Sequence, residues 1–268
     1  MPGFISTGLT IVAMIGVAYT LAATALAGRW RPRGTVPAPA DAPSITMLKP
    51  LHGPEPQLEA KLGAFLNQEY LGPIDMVAGV ADPADPAAAS VRALQAKGRP
   101  ATLVANDRRS GSNGKISNLI NMMSAASGEL LVLSDSDMVV PHDYAARIAA
   151  EMARPGVGAV TLLYAGRGET GGWSQLAAAG ISWGFLPSVM IGLATGMAKP
   201  CMGSTIAIRS TTLKQIGGFE RFADLLADDH AIGAAVREVG LEVVVPPLIV
   251  LHGSTEASLA ELARHELR

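Results

Sequence analysis

A single cysteine, Cys201, stands in the 268 residues of this chain. That excludes an intrachain disulfide framework and suits a reducing compartment. Charge is also scarce: Asp, Glu, Lys and Arg make up 16% of the residues and the formal net charge is −2, which argues against nucleic acid as a partner. His52, His142, His252 and His265 show no close metal-ligand spacing and read as ordinary polar residues. The Gly-x-x-x-x-Gly-Lys-Ser/Thr pattern of a P-loop is absent. No Lys or Arg precedes the first apolar run, and a secretory signal would carry one there.

What remains is apolar. Hydrophobic residues reach 49%, enough for one sizeable domain with a membrane element. Residues 4–27 form an uncharged stretch of 24 residues, long enough to cross a bilayer as a helix. Ala25-Leu26-Ala27 resembles a cleavage site, but the run is longer than a signal core. Arg29, Arg31 and Arg33 follow at once. Basic residues favour the cytoplasmic side, so the expectation is one amino-terminal span with the rest of the chain in the cytoplasm. Pro32, Pro37, Pro39 and Pro43 make residues 28–43 an extended linker to a domain covering 44–268.

In that domain short apolar runs alternate with helical patterns. Strands are predicted at 45–48, 74–80, 101–105 and directly before Asp135, and helices at 57–67, 87–96 and 115–126. Such alternation implies an α/β fold with a mostly parallel sheet, whose ligands gather at the carboxyl ends of the strands. Lys49-Pro50, Asp82 and the Asp135-Ser136-Asp137 triplet stand at those ends. Residues 171–198 carry no charge, yet Gly180, Gly184, Gly192, Gly196 and Pro187 interrupt them. A span here would also put everything after Lys199 across the membrane from Asp135, so the stretch reads as buried or as lying in the membrane interface.

Asp135-Ser136-Asp137 admits two chemistries. On an extended segment residues i and i+2 share a side, so both carboxylates could meet one Mg²⁺ or Mn²⁺ that recruits phosphate. Alternatively the first Asp is the nucleophile and the second the general acid of a phosphohydrolase. Downstream, Asp228-Asp229-His230 opens a helical pattern, where an Asp can cap free backbone N–H groups. A phosphohydrolase would instead carry its last acidic pair directly after an apolar strand. Lys115 enters a helix from the flexible Gly111-Ser112-Asn113-Gly114 loop, a position suited to a phosphate contact.

Taken in order, Leu48-Lys49-Pro50-Leu51-His52-Gly53, Asp82 with Asp85-Pro86, Lys115 with Asn118, Asp135-Ser136-Asp137, Met202-Gly203-Ser204, Gly217-Gly218-Phe219 and Asp228-Asp229 resemble the inverting GT-A glycosyltransferases of the ceramide glucosyltransferase-like family. The resemblance spans residues 44–268 and is closest to the bacterial, hopanoid-associated members. It implies a Rossmann-like GT-A fold, a UDP-sugar donor, a membrane-lipid acceptor, Mg²⁺ or Mn²⁺, and a place at the bacterial inner membrane. By this resemblance Pro50 and Asp82 lie by the uracil and ribose, and Lys115 by the nucleotide. Asp135 contacts ribose or metal, Asp137 holds the metal on the diphosphate, and Asp229 is the general base, with His230 the competing group.

Gly203 and Asp228 fall on the acceptor side. The family closes this domain with Gln/Arg-x-x-Arg-Trp. Here His265-Glu266-Leu267-Arg268 takes that place with no Trp, its first position being His265 unless Arg264 serves, and Arg268 would face the nucleotide. These departures imply a fragment lacking carboxyl-terminal membrane helices. The resemblance leaves open an N-acetylglucosamine donor with bacteriohopanetetrol, or UDP-glucose with ceramide.

Overall fold

The computed structural model describes residues 2–30 and 41–266, with side chains described over 6–30 and 41–264. The first helix, α1, runs over Pro2–Arg29 and so extends slightly past both ends of the predicted 4–27 segment. Most of the linker lies outside the described residues.

The domain opens with strand β1 (Ile45–Pro50), helix α2 (Leu58–Leu66), β2 (Ile74–Val80), α3 (Pro86–Ala96), β3 (Ala101–Ala105), α4 (Gly114–Met122) and β4 (Leu130–Leu133). It continues through β5 (Met138–Val139), α5 (Tyr144–Met152), β6 (Val157–Thr161), β7 (Leu163–Gly168), α6 (Gly172–Ala179) and α7 (Leu186–Ala194). The last elements are β8 (Ile206–Arg209), α8 (Ser210–Gln215), α9 (Asp228–Glu238), β9 (Glu242–Val244), β10 (Ile249–Ser254) and α10 (Leu259–Glu266). The predicted strands at 74–80 and 101–105 stand as read. The predicted helix at 115–126 stops at Met122 and continues only as a 3₁₀ turn over Met123–Ala125.

Among the described residues seven strands form one sheet in the order β3-β2-β1-β4-β8-β6-β9. The pairs from β3 to β4 are parallel, as is β6 with β9, and β8 runs antiparallel to both its neighbours. Strand periodicity sorts side chains between two faces. Ile45, Met47, Leu130 and Val132 enter one core with Leu62, Phe65 and α5, while Leu48, Leu131 and Leu133 enter the other with Ile116, Leu119, Met122 and α9. At Gly79 an added Cβ would stand 2.1 Å from Asn118 Oδ1 and 2.5 Å from Met122 Sδ, so the absence of a side chain lets α4 lie directly on β2.

The order of strands locates the crevice. From β1 the chain moves outward to β2 and β3, then returns to lay β4 on the other side of β1. Ligands of open α/β sheets bind outside the carboxyl ends at such a reversal. Leu48 is in register with Leu133, so Lys49-Pro50 and Ser134-Asp135 emerge side by side.

A second, three-stranded sheet, β5-β10-β7, lies next to this crevice. Its register sets His252 opposite Met138 on β5 and opposite Gly166 on β7. The uncharged stretch becomes α6, a π-helical segment over Gly180–Phe185, and α7. It runs along the domain: Ser182 Oγ accepts a hydrogen bond from Gly166 N–H at 3.0 Å, and Phe185 stacks on Tyr164. Leu26 and Trp30 of the α1 end pack into the same small core as Leu186 and Met190 of α7. Ser6–Arg29 and Gly172–Ala194 are the two helices, among the described residues, long and apolar enough to cross a membrane.

Candidate active site

A cavity of about 560 Å³ opens at the reversal point, with Pro50, Lys115, Asn118, Asp135 and Asp137 in its wall. That volume suits a small-molecule ligand. Asn113 caps α4, its Oδ1 accepting from Ile116 N–H at 3.1 Å, so the free N–H groups of the helix start border the cavity beside Lys115 and favour an anion. Arg108 and Arg109, on the loop after β3, add positive charge to the wall. Asn121 steadies that loop by donating to the Asn106 and Arg108 carbonyls at 3.1 and 3.0 Å.

Asp135 and Asp137 both line the cavity, but by a different geometry from the one expected of an extended segment. The strand ends at Leu133, and Ser136-Asp137 form a turn before β5. Each carboxylate consequently meets its own cationic partner. Lys115 Nζ lies 2.5 Å from Asp135 Oδ1, and His252 Nε2 lies 3.0 Å from Asp137 Oδ2. Burial alone would lower the Lys115 pKa, but Asp135, Asp228 and Asp229 hold the ammonium above its usual range. Burial likewise works against charge on Asp137 and His252, yet their mutual contact prevails: the carboxyl is depressed and the imidazole raised.

Beneath this pair lies Lys49, whose side chain is fully buried. It shares the face of Ile45 and Met47, passes over the Phe65 ring at 3.2 Å, and donates to Ser134 Oγ at 3.0 Å and to the Asp135 carbonyl at 2.9 Å. Burial brings its pKa down to about 7, against the opposing pull of Asp135, Asp137 and Glu55. The ammonium thus ties the β1 end to the backbone of the turn that carries both aspartates.

The helix-opening Asp229 reaches the same place. Its Oδ2 accepts from Gly203 N–H at 3.1 Å and its Oδ1 from His230 N–H at 2.7 Å. An added Cβ on Gly203 would stand 3.0 Å from Lys115 Nζ and 3.3 Å from Asp135 Oδ2, so this glycine keeps space between the three groups. Asp228 is buried, with Oδ1 accepting from Asn113 Nδ2 at 3.3 Å, and burial raises its carboxyl above the usual range. Neither aspartate caps α9. The His230 side chain is exposed and hydrogen-bonds to no described residue.

Other candidates lie farther out. Asp82 is exposed and folded onto its own loop, accepting from Ala84 N–H at 2.8 Å, and it is not in the cavity wall. Arg264 is exposed on α10, where Nε donates to the Ala260 carbonyl. Arg268 and the His265 side chain lie outside the described residues. Sequence reasoning passed over His252, the buried role of Lys49, and Arg108 with Arg109. Of these only Lys49, a lysine inside an apolar strand, carried a local signal.

A family model described as glycosyl transferase family 21 matches residues 8–268. The chain belongs to that family. As a family 21 glycosyltransferase it is an enzyme that moves a glycosyl group. In fold it is similar to the mannosyltransferase PcManGT from Pyrobaculum calidifontis, solved in complex with GDP-Man and Mn²⁺. That match has a TM-score of 0.63 at 23% identity and covers 91% of this chain and 68% of the other. It is also similar to GalNAc-T7, solved with UDP, GalNAc and Mn²⁺, with a TM-score of 0.55 at 13% identity over 81% of this chain and 45% of that one. The family 21 chain therefore has the GT-A fold.

Proposed function

We propose that this family 21 chain transfers a sugar from a UDP-sugar to a hydroxyl of a membrane lipid by a single inverting displacement. The observation that carries the reading is that two hydrogen-bonded pairs, Lys115 with Asp135 and Gly203 with Asp229, meet at Gly203, with Lys115 and Asp135 in the wall of the cavity. Pro50 and the α4 start would border the nucleotide, with Asp82 at the rim. Lys115 would neutralise charge on the departing diphosphate.

The donor set fits Mg²⁺ or Mn²⁺. Asp137 Oδ1 is buried and lacks a hydrogen-bond partner, and Asp135 lies in the same wall. Among the described residues no three His, Cys, Asp or Glu side chains form a complete cage; Mg²⁺ in particular is commonly held by one or two carboxylates with the rest left to phosphates and water. When bound, such a cation supplies charge stabilisation at the leaving group. The GT-A neighbours solved with Mn²⁺ support this dependence.

Asp229 is the base that takes the proton of the attacking hydroxyl, since two backbone N–H groups fix its carboxylate beside Lys115 and Asp135. His230 offers no such placement. Asp135 as a phosphohydrolase nucleophile is disfavoured by the match to glycosyl transferase family 21 over residues 8–268. Sequence resemblance favours N-acetylglucosamine on bacteriohopanetetrol first, with glucose on ceramide as the alternative. The uncharged α6–α7 stretch and α1 support a lipid acceptor and a domain held at the cytoplasmic face of a bacterial inner membrane.

The test is to incubate membranes bearing the protein with a panel of UDP-sugars and extracted lipids and to weigh the glycolipid formed. Asp229→Asn is expected to keep metal-dependent UDP binding while losing transfer by roughly 10²- to 10⁴-fold. Undiminished transfer by that variant removes Asp229 from the role of base. Chelation is expected to stop transfer, and added Mn²⁺ or Mg²⁺ to restore it.

A further inference from the structure

The chain that leads into Asp228-Asp229 is held by polar contacts rather than by a core. Residues 224–227 are exposed, with Leu226 at 95%, so apolar burial does little to fix them. Helix α9 also starts, at Ala227, without a side-chain cap. The loop before α4 supplies the hold. Gly111 lies so close that an added Cβ would stand 2.4 Å from the Ala223 carbonyl oxygen. Ser112 N–H donates to Asp224 Oδ1 at 2.8 Å, and Asn113 N–H to the Ala223 carbonyl at 2.8 Å. The Asn113 side chain completes the contact: Nδ2 donates to the Leu225 carbonyl at 2.7 Å and to Asp228 Oδ1 at 3.3 Å, while Oδ1 caps α4 through Ile116 N–H. Capping accounts for the oxygen alone. The nitrogen is spent on the segment that carries the base, where Asp228 Oδ2 is buried without a hydrogen-bond partner. Asn113 itself is not in the cavity wall, although Gly114 and Lys115 beside it are.

We infer that Asn113 is a positioning residue for the transfer: one side chain ties the α4 start, which borders the nucleotide, to the segment that carries Asp229, and so sets the base against the donor. This rests on the glycosyl-transfer reading above. Asn113 touches no reacting atom and acts through Asp229. The two halves of its amide can be separated chemically. Ser and Asp each keep an oxygen for the cap, and neither offers the two N–H donors that reach Leu225 and Asp228. In Asn113→Asp a carboxylate would face the Leu225 carbonyl and the Asp228 carboxylate, so repulsion replaces the bond. Without the amide, Asp229 keeps its contacts with Gly203 and His230 N–H but loses the tether on the chain before it. A displacement of about 1 Å at a reacting group is enough to cost two orders of magnitude in rate.

The experiment uses the full chain in lipid nanodiscs with the UDP-sugar and extracted lipid that give the wild type its highest transfer. Asn113→Ser is expected to keep Mn²⁺-dependent UDP binding by calorimetry and the donor KM at wild-type values while kcat falls about 10- to 100-fold. Asn113→Asp is expected to lose more. Hydrogen exchange gives a readout without turnover: in Asn113→Ser the amides of residues 224–230 are expected to exchange faster than in the wild type, and those of residues 116–122 at the wild-type rate. A residue that only caps α4 predicts wild-type kcat and wild-type exchange at 224–230 in Asn113→Ser, and either result overturns the inference. A donor KM that rises as far as kcat falls overturns it too, because the loss would then lie in donor binding. A wild type that binds UDP and transfers no sugar to any lipid overturns the parent reading and the inference with it, whereas a wild type that transfers beside an unimpaired Asn113→Ser overturns the inference alone.

Discussion

His252 shows how a site residue is made by register. It lies 115 positions from Asp137 in sequence (252 − 137), and they meet because β10 runs antiparallel to β5 with His252 opposite Met138. If Asp137 holds the metal as proposed above, a histidine that orients its carboxylate would support affinity indirectly. His252→Ala is expected to weaken Mn²⁺-dependent UDP binding by about 10- to 100-fold, measured by calorimetry at fixed UDP. Wild-type metal dependence in that variant would reduce the contact to simple packing. The lone thiol makes a contrasting case. Cys201 is buried and its pKa is pushed up to about 12, by burial first and then by Asp229, and a buried neutral thiol is inert. A thiol reagent at pH 8 is expected to modify none of it in the native protein and all of it after denaturation. Asp135, Asp137 and Lys115 stood out through local patterns with their own chemistry, whereas Gly203 and Asp229 entered as site residues only through the family resemblance; the structure brings Lys115, Asp135, Gly203 and Asp229 together. Lys49 and His252 did not stand out, because their partners are set by strand pairing across distant segments.

At the level of elements, periodicity located the early strands and helices well, since hydrophobic alternation and helical spacing are direct consequences of burial. Short-range geometry was less accessible. The turn at Ser136-Asp137 replaces the extended segment expected there, because the Lys49 ammonium captures Ser134 Oγ and the Asp135 carbonyl and so bends the chain away from β4. Helix α4 ends early, yet its start is held on two sides: Asn113 caps it and also donates to the Leu225 carbonyl at 2.7 Å. Its depth on the sheet depends on Gly79, whose carbonyl accepts from Asn118 Nδ2 at 2.8 Å. Gly79→Ala inserts a methyl group where Asn118 and Met122 already stand. Overpacking of this kind costs about 1–3 kcal/mol, so a lowered midpoint of thermal unfolding is expected. Because α4 carries Lys115, weaker UDP binding should accompany it. A variant with wild-type stability and wild-type UDP binding would mean that α4 shifts freely on β2.

For the whole molecule, the two long apolar helices are not separate from the domain. The α1 end does not hang free: Leu26 and Trp30 join α7 in one small core. Helix α6 and the π-helical segment keep Trp173, Leu176 and Trp183 exposed, at 40%, 54% and 82%, in a stretch without charge. Both sequence neighbours of this stretch, β7 and β8, belong to the one domain, so it lies along the domain surface rather than piercing the bilayer. An apolar segment with exposed tryptophans and no charge suits the interfacial layer, and under the proposed membrane placement an α1 docked against it would hold the catalytic mouth at a constant height over the lipid. If this arrangement holds, brominated acyl chains in a nanodisc should quench tryptophan fluorescence of the full chain. Quenching should persist in Trp30→Phe, which leaves only the two tryptophans of the α6 and π-helical region. Trp183→Phe in that background should remove most of what remains, since Trp183 is the more exposed of the two. Fluorescence indifferent to bromine in Trp30→Phe would mean that the stretch faces water, which would count against the proposed delivery of a lipid acceptor from the bilayer to Asp229.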